Sequence, residues 1–246
     1  MKFAGAVAIA LVGLLATVHS LAAGNLAAYR DQIQQAYNAR DSQALEAIVA
    51  SLARAGTNSG EADLATYYAA FARLRQSAIP GITKDRARDY LGQCITELEP
   101  LVGRRTDYAQ ARALYASCLG ASANYYVMRA ATRGIAARRE MSAAVKLAPD
   151  NPWVVFQGAV SDFLTPAMFG GNTERALVGL RRAEQLFVAS RPTGSSGPVF
   201  GESETWLYIG RVLVSLDRKD EGRKALDKAL DLAPDNADVR DELAKL

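Results

Sequence analysis

The chain has 246 residues, half of them hydrophobic, with alanine common and a formal charge of only +3. That supports a continuous core and favours helix over sheet, and the charge is too small to suggest a polyanion partner such as nucleic acid. One histidine and two cysteines leave little material for metal chemistry.

The first element is not part of the fold. Lys2 supplies a positive charge, Phe3 to Val18 is an uncharged apolar run, and Ser20-Leu21-Ala22 places small residues at −3 and −1 of a cleavage site. This is the secretory signal pattern, so residues 1–22 are expected to be removed and residues 23–246 to form the mature domain. The run is shorter than the ~20 residues of a spanning helix, so no stable membrane insertion is expected after cleavage. No cysteine near the site could carry a lipid. The expected location is the periplasm, with secretion as a further possibility. The sole histidine, His19, leaves with the signal, and the net charge falls to about +2. Histidine triads and HExxH zinc sites are thereby excluded, and no catalytic residue, metal site or cofactor is assigned.

Apolar residues at three- and four-residue spacing then predict helices in pairs. Leu26 to Tyr37 is followed by a second helix with Ala44, Ile48 and Ser51 on one face. Tyr67 to Leu74 is followed by Ala87, Leu91 and Cys94, with Pro100 closing the pair. Tyr108 to Ala123, carrying Gly120, precedes Ala137, Met141 and Ala144, closed by Pro149. Trp153 to Phe163, carrying Gly158, precedes Ala176, Leu180 and Ala183. The last pair has Trp206, Ile209, Gly210 and Leu213, then Gly222, Leu226 and Ala229, with Pro234 ending the helix. A mostly polar helix from Asp238 to Lys245 would cap the stack. The prediction is therefore all-α: about five antiparallel helix pairs plus a C-terminal capping helix. The clearest units span 151–188 and 203–236, joined by a Pro/Gly/Ser-rich loop over 190–203.

The eight matched positions from Trp206 to Pro234 resemble the tetratricopeptide repeat (TPR) at its proper spacing. Ala44, Ala87, Ala137, Ala176 and Gly222 lie 43, 50, 39 and 46 residues apart. A plain repeat has about 34, so the surplus must sit in longer helices or loops. Pro166-Ala167-Met168-Phe169-Gly170-Gly171 and Pro198-Val199-Phe200-Gly201 resemble a group of exported bacterial TPR proteins with a Pro-x-x-Phe-Gly-Gly loop. A more distant likeness is to the periplasmic TPR component associated with TRAP transporters, whose lipid-bearing cysteine is missing here.

The resemblance implies an α-solenoid whose first helices line a concave groove that holds a protein or peptide partner. Counting from the small residue of each first helix assigns Arg73, Asn124, Tyr125, Asp162, Phe163, Leu207 and Arg211 to that groove, with Phe169 at its rim. The implied function is a periplasmic, non-catalytic interaction scaffold. The alternative is a small-molecule or solute-binding accessory of an envelope transport system.

Other features have two readings each. Gly170-Gly171 is either a ligand-touching rim or a turn needing positive φ with Phe169 anchored between helices. Tyr125 and Tyr126 either form a peptide-binding patch or pack on the adjacent helix. The arginines 104, 105, 112, 129, 133, 138 and 139 are either a basic patch or a solvated face. Asp162 lies on an apolar helix but has no partner carboxylate for glycosidase chemistry. Cys94 and Cys118 either bridge or pack as two small buried residues.

Overall fold

The structure is a computed structural model that describes residues 26–55, 61–190 and 201–246. The expected signal and Pro198-Val199-Phe200 lie outside the described residues. The described chain is all-helical. The first pair is α1 (Ala27–Asn38) and α2 (Ser42–Ala55), and the second is α3 (Ala62–Ser77) and α4 (Lys84–Arg104). The third is α5 (Ala109–Ala123) and α6 (Ala130–Leu147), and the fourth is α7 (Pro152–Leu164) and α8 (Thr173–Ala189). The fifth is α9 (Glu202–Ser215) and α10 (Lys219–Leu232), and α11 (Ala237–Leu243) caps the end. This is the TPR-like solenoid expected from the spacing.

Local chemistry sets the helix ends. Thr83, Asn151, Asn172 and Asn236 each accept a hydrogen bond from a first-turn amide of α4, α7, α8 and α11. Pro152 occupies the first position of α7, where a missing N–H costs nothing. The turns of the first and fifth pairs share one solution. Arg40 and Asp217 adopt φ of 57° and 60°. The next residue's amide in each turn, Asp41 or Arg218, reaches back to Ala36 O or Leu213 O. This is the left-handed helix stop that satisfies orphaned carbonyls. Pro149 and Pro234 lie just beyond α6 and α10 as expected, whereas Pro100 sits inside α4. The helix runs on because Leu98, Leu101 and Val102 are buried beyond or beside it. Their burial offsets the lost amide bond of a solvent-facing proline.

In the second helices the small and apolar residues are the ones that go inside: Ala87, Leu91 and Cys94 in α4, and Ala176, Leu180 and Ala183 in α8. One core runs from Leu26 to Ala225, with satellites between α5, α6 and α7 and under the cap. In the fifth pair Gly210 and Gly222 face each other. A Cβ on Gly210 would lie 2.6 Å from Leu226 Cγ and 3.2 Å from the Gly222 oxygen, and one on Gly222 would lie 2.6 Å from Val214 Cγ2. The fourth pair differs from the sequence register. Its close approach is between Gly179 and Ala159, 2.8 Å from a Cβ built on the glycine, while Gly158 faces Val145 of the preceding pair. The extra residues between α7 and α8 shift which small side chains meet. Cys94 of α4 and Cys118 of α5 are joined by a disulfide with a Cα separation of 6.3 Å.

The solenoid also closes on itself. Arg75 of α3 donates from Nη1 and Nη2 to both carboxylate oxygens of Glu204 on α9, at 2.6 and 2.5 Å, and both side chains are buried. Burial works against the Arg75 charge, yet Glu204 holds its pKa above the ordinary value. Farther out, Tyr37 Oη donates to Asp238 at 3.0 Å, and Arg40 donates to Asp238 and Asp241. Helices at the two ends of the described chain are thus held together across the inner face.

Two outcomes follow from this packing. Gly210→Leu should lower unfolding free energy by about 1–3 kcal/mol in urea titration, because the added side chain meets Leu226 and a backbone oxygen. Arg75→Met alone should cost about 3–5 kcal/mol by leaving Glu204 buried and unpaired. The double variant Arg75→Met/Glu204→Leu should recover much of that loss in the same measurement.

Candidate functional site

The inner face is built from first helices, and most of it is filled by the protein's own side chains. The Arg75 guanidinium lies 4.7 Å from the ring centres of both Tyr37 and Phe71, and 5.9 Å from Trp153. Phe71 meets Trp153 edge-on at 5.7 Å, Trp153 stacks on Phe156 at 5.1 Å, and Phe156 meets Tyr208 at 5.6 Å. This ring chain links α3, α7 and α9 around the buried ion pair. Arg75 was not among the sequence candidates. An arginine between Leu74 and Gln76 gives no local sign that its partner lies 129 residues away.

A cleft of about 280 Å³ opens where first helices begin, beside the end of α8. Its walls include Tyr67, Tyr68, Phe71, Tyr108, Trp153 and Phe187. Tyr67 and Tyr108 lie 5.7 Å apart, and Tyr67 and Tyr68 meet edge-on at 5.3 Å. Burial pushes the Tyr67 and Tyr68 hydroxyls up and takes Tyr108 to about 12, so all three are neutral phenols near pH 7.

The opposite edge carries the Pro166–Gly171 loop, which is clamped from three sides. Arg175 donates to both oxygens of Asp162, at 2.7 and 2.6 Å, and to the Gly170 carbonyl at 2.8 Å. The Asn172 amide donates to Asp162 O, and the Gly171 amide to Pro166 O. Gly170 has φ of 89°, and a Cβ on Gly171 would fall 1.7 Å from the Thr165 oxygen. Both glycines are therefore steric requirements of the turn. Phe169, for which a rim position and an anchor between helices were both open, projects at 52% exposure beside Met168 at 84%. The amides of Phe169, Gly170 and Gly171 all donate within the turn, to the Pro166 and Ala167 oxygens. Leu164, Ile135 and Met128 are also exposed, and the Arg138 guanidinium packs against Gly170.

The other sequence candidates do not form one groove. Leu207 is 3% exposed and packs with Leu226, Ala229 and Val239 under the cap, because its side of α9 faces α10 and α11. Arg73 points toward α2, donating to Glu46 at 2.6 Å and to Gln76 at 3.0 Å. Arg211 lies over the Tyr208 ring and donates to Glu242 at 3.1 Å. Phe163 is half-buried against the main core. Asn124 and Tyr125 follow the end of α5, while Asp162 and Phe169 belong to the end of α7 and the loop after it. Tyr126 packs over Gly92 of α4 with Arg133 above its ring at 3.8 Å. Of the arginine series, Arg104 and Arg105 pair with Asp63, and Arg112 and Arg139 pair with Glu140.

Comparison with known proteins agrees with this geometry. Residues 203–246 match the tetratricopeptide repeat family model. A search of curated proteins found no match. A thermophilic TPR protein of Thermus thermophilus superposes with a TM-score of 0.63 at 17% identity, covering 89% of this chain and 97% of that one. The HusA haemophore from Porphyromonas gingivalis superposes with a TM-score of 0.62 at 19% identity, covering 78% of this chain and 94% of that one. At these identities the likeness concerns the fold.

One acid near Arg73 gives a pH signature. Burial raises the Glu97 carboxyl above its ordinary range, Arg73 only partly offsets this, and Glu97 Oε2 is buried without a hydrogen-bond partner among the described residues. A raised folded pKa favours the folded state below the unfolded value of about 4.3, and that advantage is lost as pH rises through the folded value. Glu97→Gln should therefore raise the urea midpoint at pH 7.5 and leave it unchanged near pH 4.

Proposed function

We propose that this protein is a non-catalytic scaffold that is exported and binds a protein partner at the edge formed by the clamped 166–171 loop. The observation that carries this reading is the display of Met168 and Phe169 on backbone fixed by Arg175, Asp162 and two glycines. Apolar side chains held in water on a rigid turn lose little freedom when a partner covers them. Arg138 and Asp162 beside the loop supply a polar rim of the kind interfaces use. The inner groove implied by the TPR resemblance is the less suitable surface here, because Arg75, Glu204 and the aromatic chain already occupy much of it.

The periplasm is part of the same proposal. The pattern over residues 1–22 supports it, and the Cys94–Cys118 bridge suits an oxidising compartment. Expression of the full chain should place a product beginning near residue 23 in the osmotic-shock fluid, and a product kept in the cytoplasm would count against export.

The double variant Met168→Ser/Phe169→Ser should melt as the parent does and lose about tenfold in affinity for a partner captured by crosslinking from the native envelope. Val178→Ser, which removes another exposed apolar side chain on α8, should leave capture unchanged. Equal capture by all three proteins would reject the loop edge as the contact surface.

A further inference from the structure

The arginine series divides by its partners. Arg104 and Arg105 pair with Asp63, and Arg112 and Arg139 share Glu140. Arg129, Arg133 and Arg138 have no ion-pair partner among the described residues, and Arg133 lies instead over the Tyr126 ring. The sequence outside the described segments contains no Asp or Glu, so the chain has no further side-chain carboxylate to offer them. The third helix pair sets Arg112, Arg129, Arg133, Arg138, Arg139 and Lys146 against one acid, Glu140. It therefore carries more positive charge than the whole chain's formal +3.

The helix that holds most of these arginines is only half covered. The buried residues of α6 are Ala137, Glu140, Met141 and Ala144, and none precedes Ala137. Ala131, Ile135, Arg138 and Ser142 are all exposed at three- and four-residue spacing, so they form one row along the helix. Ile135 is 69% exposed, and Met128, in the 3-10 turn Val127–Arg129 that leads into α6, is 97% exposed. A Cβ on Gly134 would meet nothing within 4 Å. A helix draws most of its stability from packing, and this stretch, with a glycine inside it, has little packing of its own. The row reaches the 166–171 loop, because the Arg138 guanidinium packs against Gly170, the next residue after Phe169.

We infer that this row extends the loop edge and receives an acidic amphipathic helix of the partner protein. Its apolar side chains would cover Met128, Ile135 and Phe169, and its carboxylates would meet the exposed, unpaired Arg129 and Arg138. The inference rests on the reading that a partner covers the loop. Charge decides the occupant: unpaired arginines beside apolar side chains match a surface that offers acids and apolar groups together. The row runs for about three helical turns, which suits packing of one helix along another. A bilayer fits less well. It takes apolar groups deep and leaves charges at the headgroups, whereas Arg138 stands in line between Ile135 and the loop.

The test is fluorescence anisotropy of labelled helical peptides with the full chain. One peptide carries leucines along one face with glutamates beside them. A second has lysine for each glutamate, and a third has serine for each leucine. The acidic amphipathic peptide should bind saturably, about tenfold more tightly than either of the others. Its affinity should fall as sodium chloride rises from about 0.05 to about 0.5 M, since exposed charges are screened. Ile135→Ser and Arg138→Glu should each melt as the parent does and weaken binding about three- to tenfold. The inference is overturned if that peptide does not saturate, if the lysine or serine peptide binds equally well, or if neither substitution weakens binding. It is also overturned if phosphatidylglycerol vesicles take up the chain while the peptide does not bind, or if the parent is a dimer that Ile135→Ser dissociates, which would make a second copy the occupant. Peptide binding indifferent to both substitutions, with partner capture still lost in Met168→Ser/Phe169→Ser, would reject the row and keep the loop edge. The converse result would reject the loop edge and keep the row.

Discussion

The buried pair between Arg75 and Glu204 is the constraint around which the solenoid is organised. An open stack of helix pairs has contacts only between neighbours. Here a charge on α3 finds its partner on α9, across the inner face, and both are removed from water. Such a pair contributes little net stability compared with apolar side chains of the same shape. Its effect is on geometry, because any curvature that separates α3 from α9 leaves two buried charges unpaired. Tyr37, Phe71 and Trp153 surround the guanidinium, so the aromatic core and the ion pair favour the same closure. The outer contacts of Tyr37 and Arg40 with α11 reinforce it at the ends of the chain.

That closure is possible because each pair is thin. At Gly210 and Gly222 the two backbones approach until any side chain would collide. Where the chain inserts extra residues, between α7 and α8, the contact moves to Ala159 and Gly179 and the stacking persists. The inserted residues form a stiff turn of their own, held by Arg175, and carry apolar side chains outward.

Function follows from what closure leaves free. An inner face filled by the protein's own rings has little room for an extended peptide. A cleft lined by aromatics lies where first helices begin. Leu164, Met168 and Phe169 are exposed at the other edge, where α7 ends.

By itself the sequence determined the helices, their pairing and their stops, since these depend on residues near one another in the chain. Periodicity placed all five pairs and the cap, and Pro149 and Pro234 matched helix ends, whereas α4 runs through Pro100, where burial of the neighbouring Leu98, Leu101 and Val102 prevailed. It also marked the Gly170-Gly171 turn and the contact between Gly210 and Gly222. Tertiary structure alone decided which face of each helix is inner, so Leu207 went under the cap, Arg73 turned toward α2, and Arg75 became central. Side-chain partners 129 or 201 residues apart leave no local pattern, because their meeting depends on the summed rotation of every intervening pair.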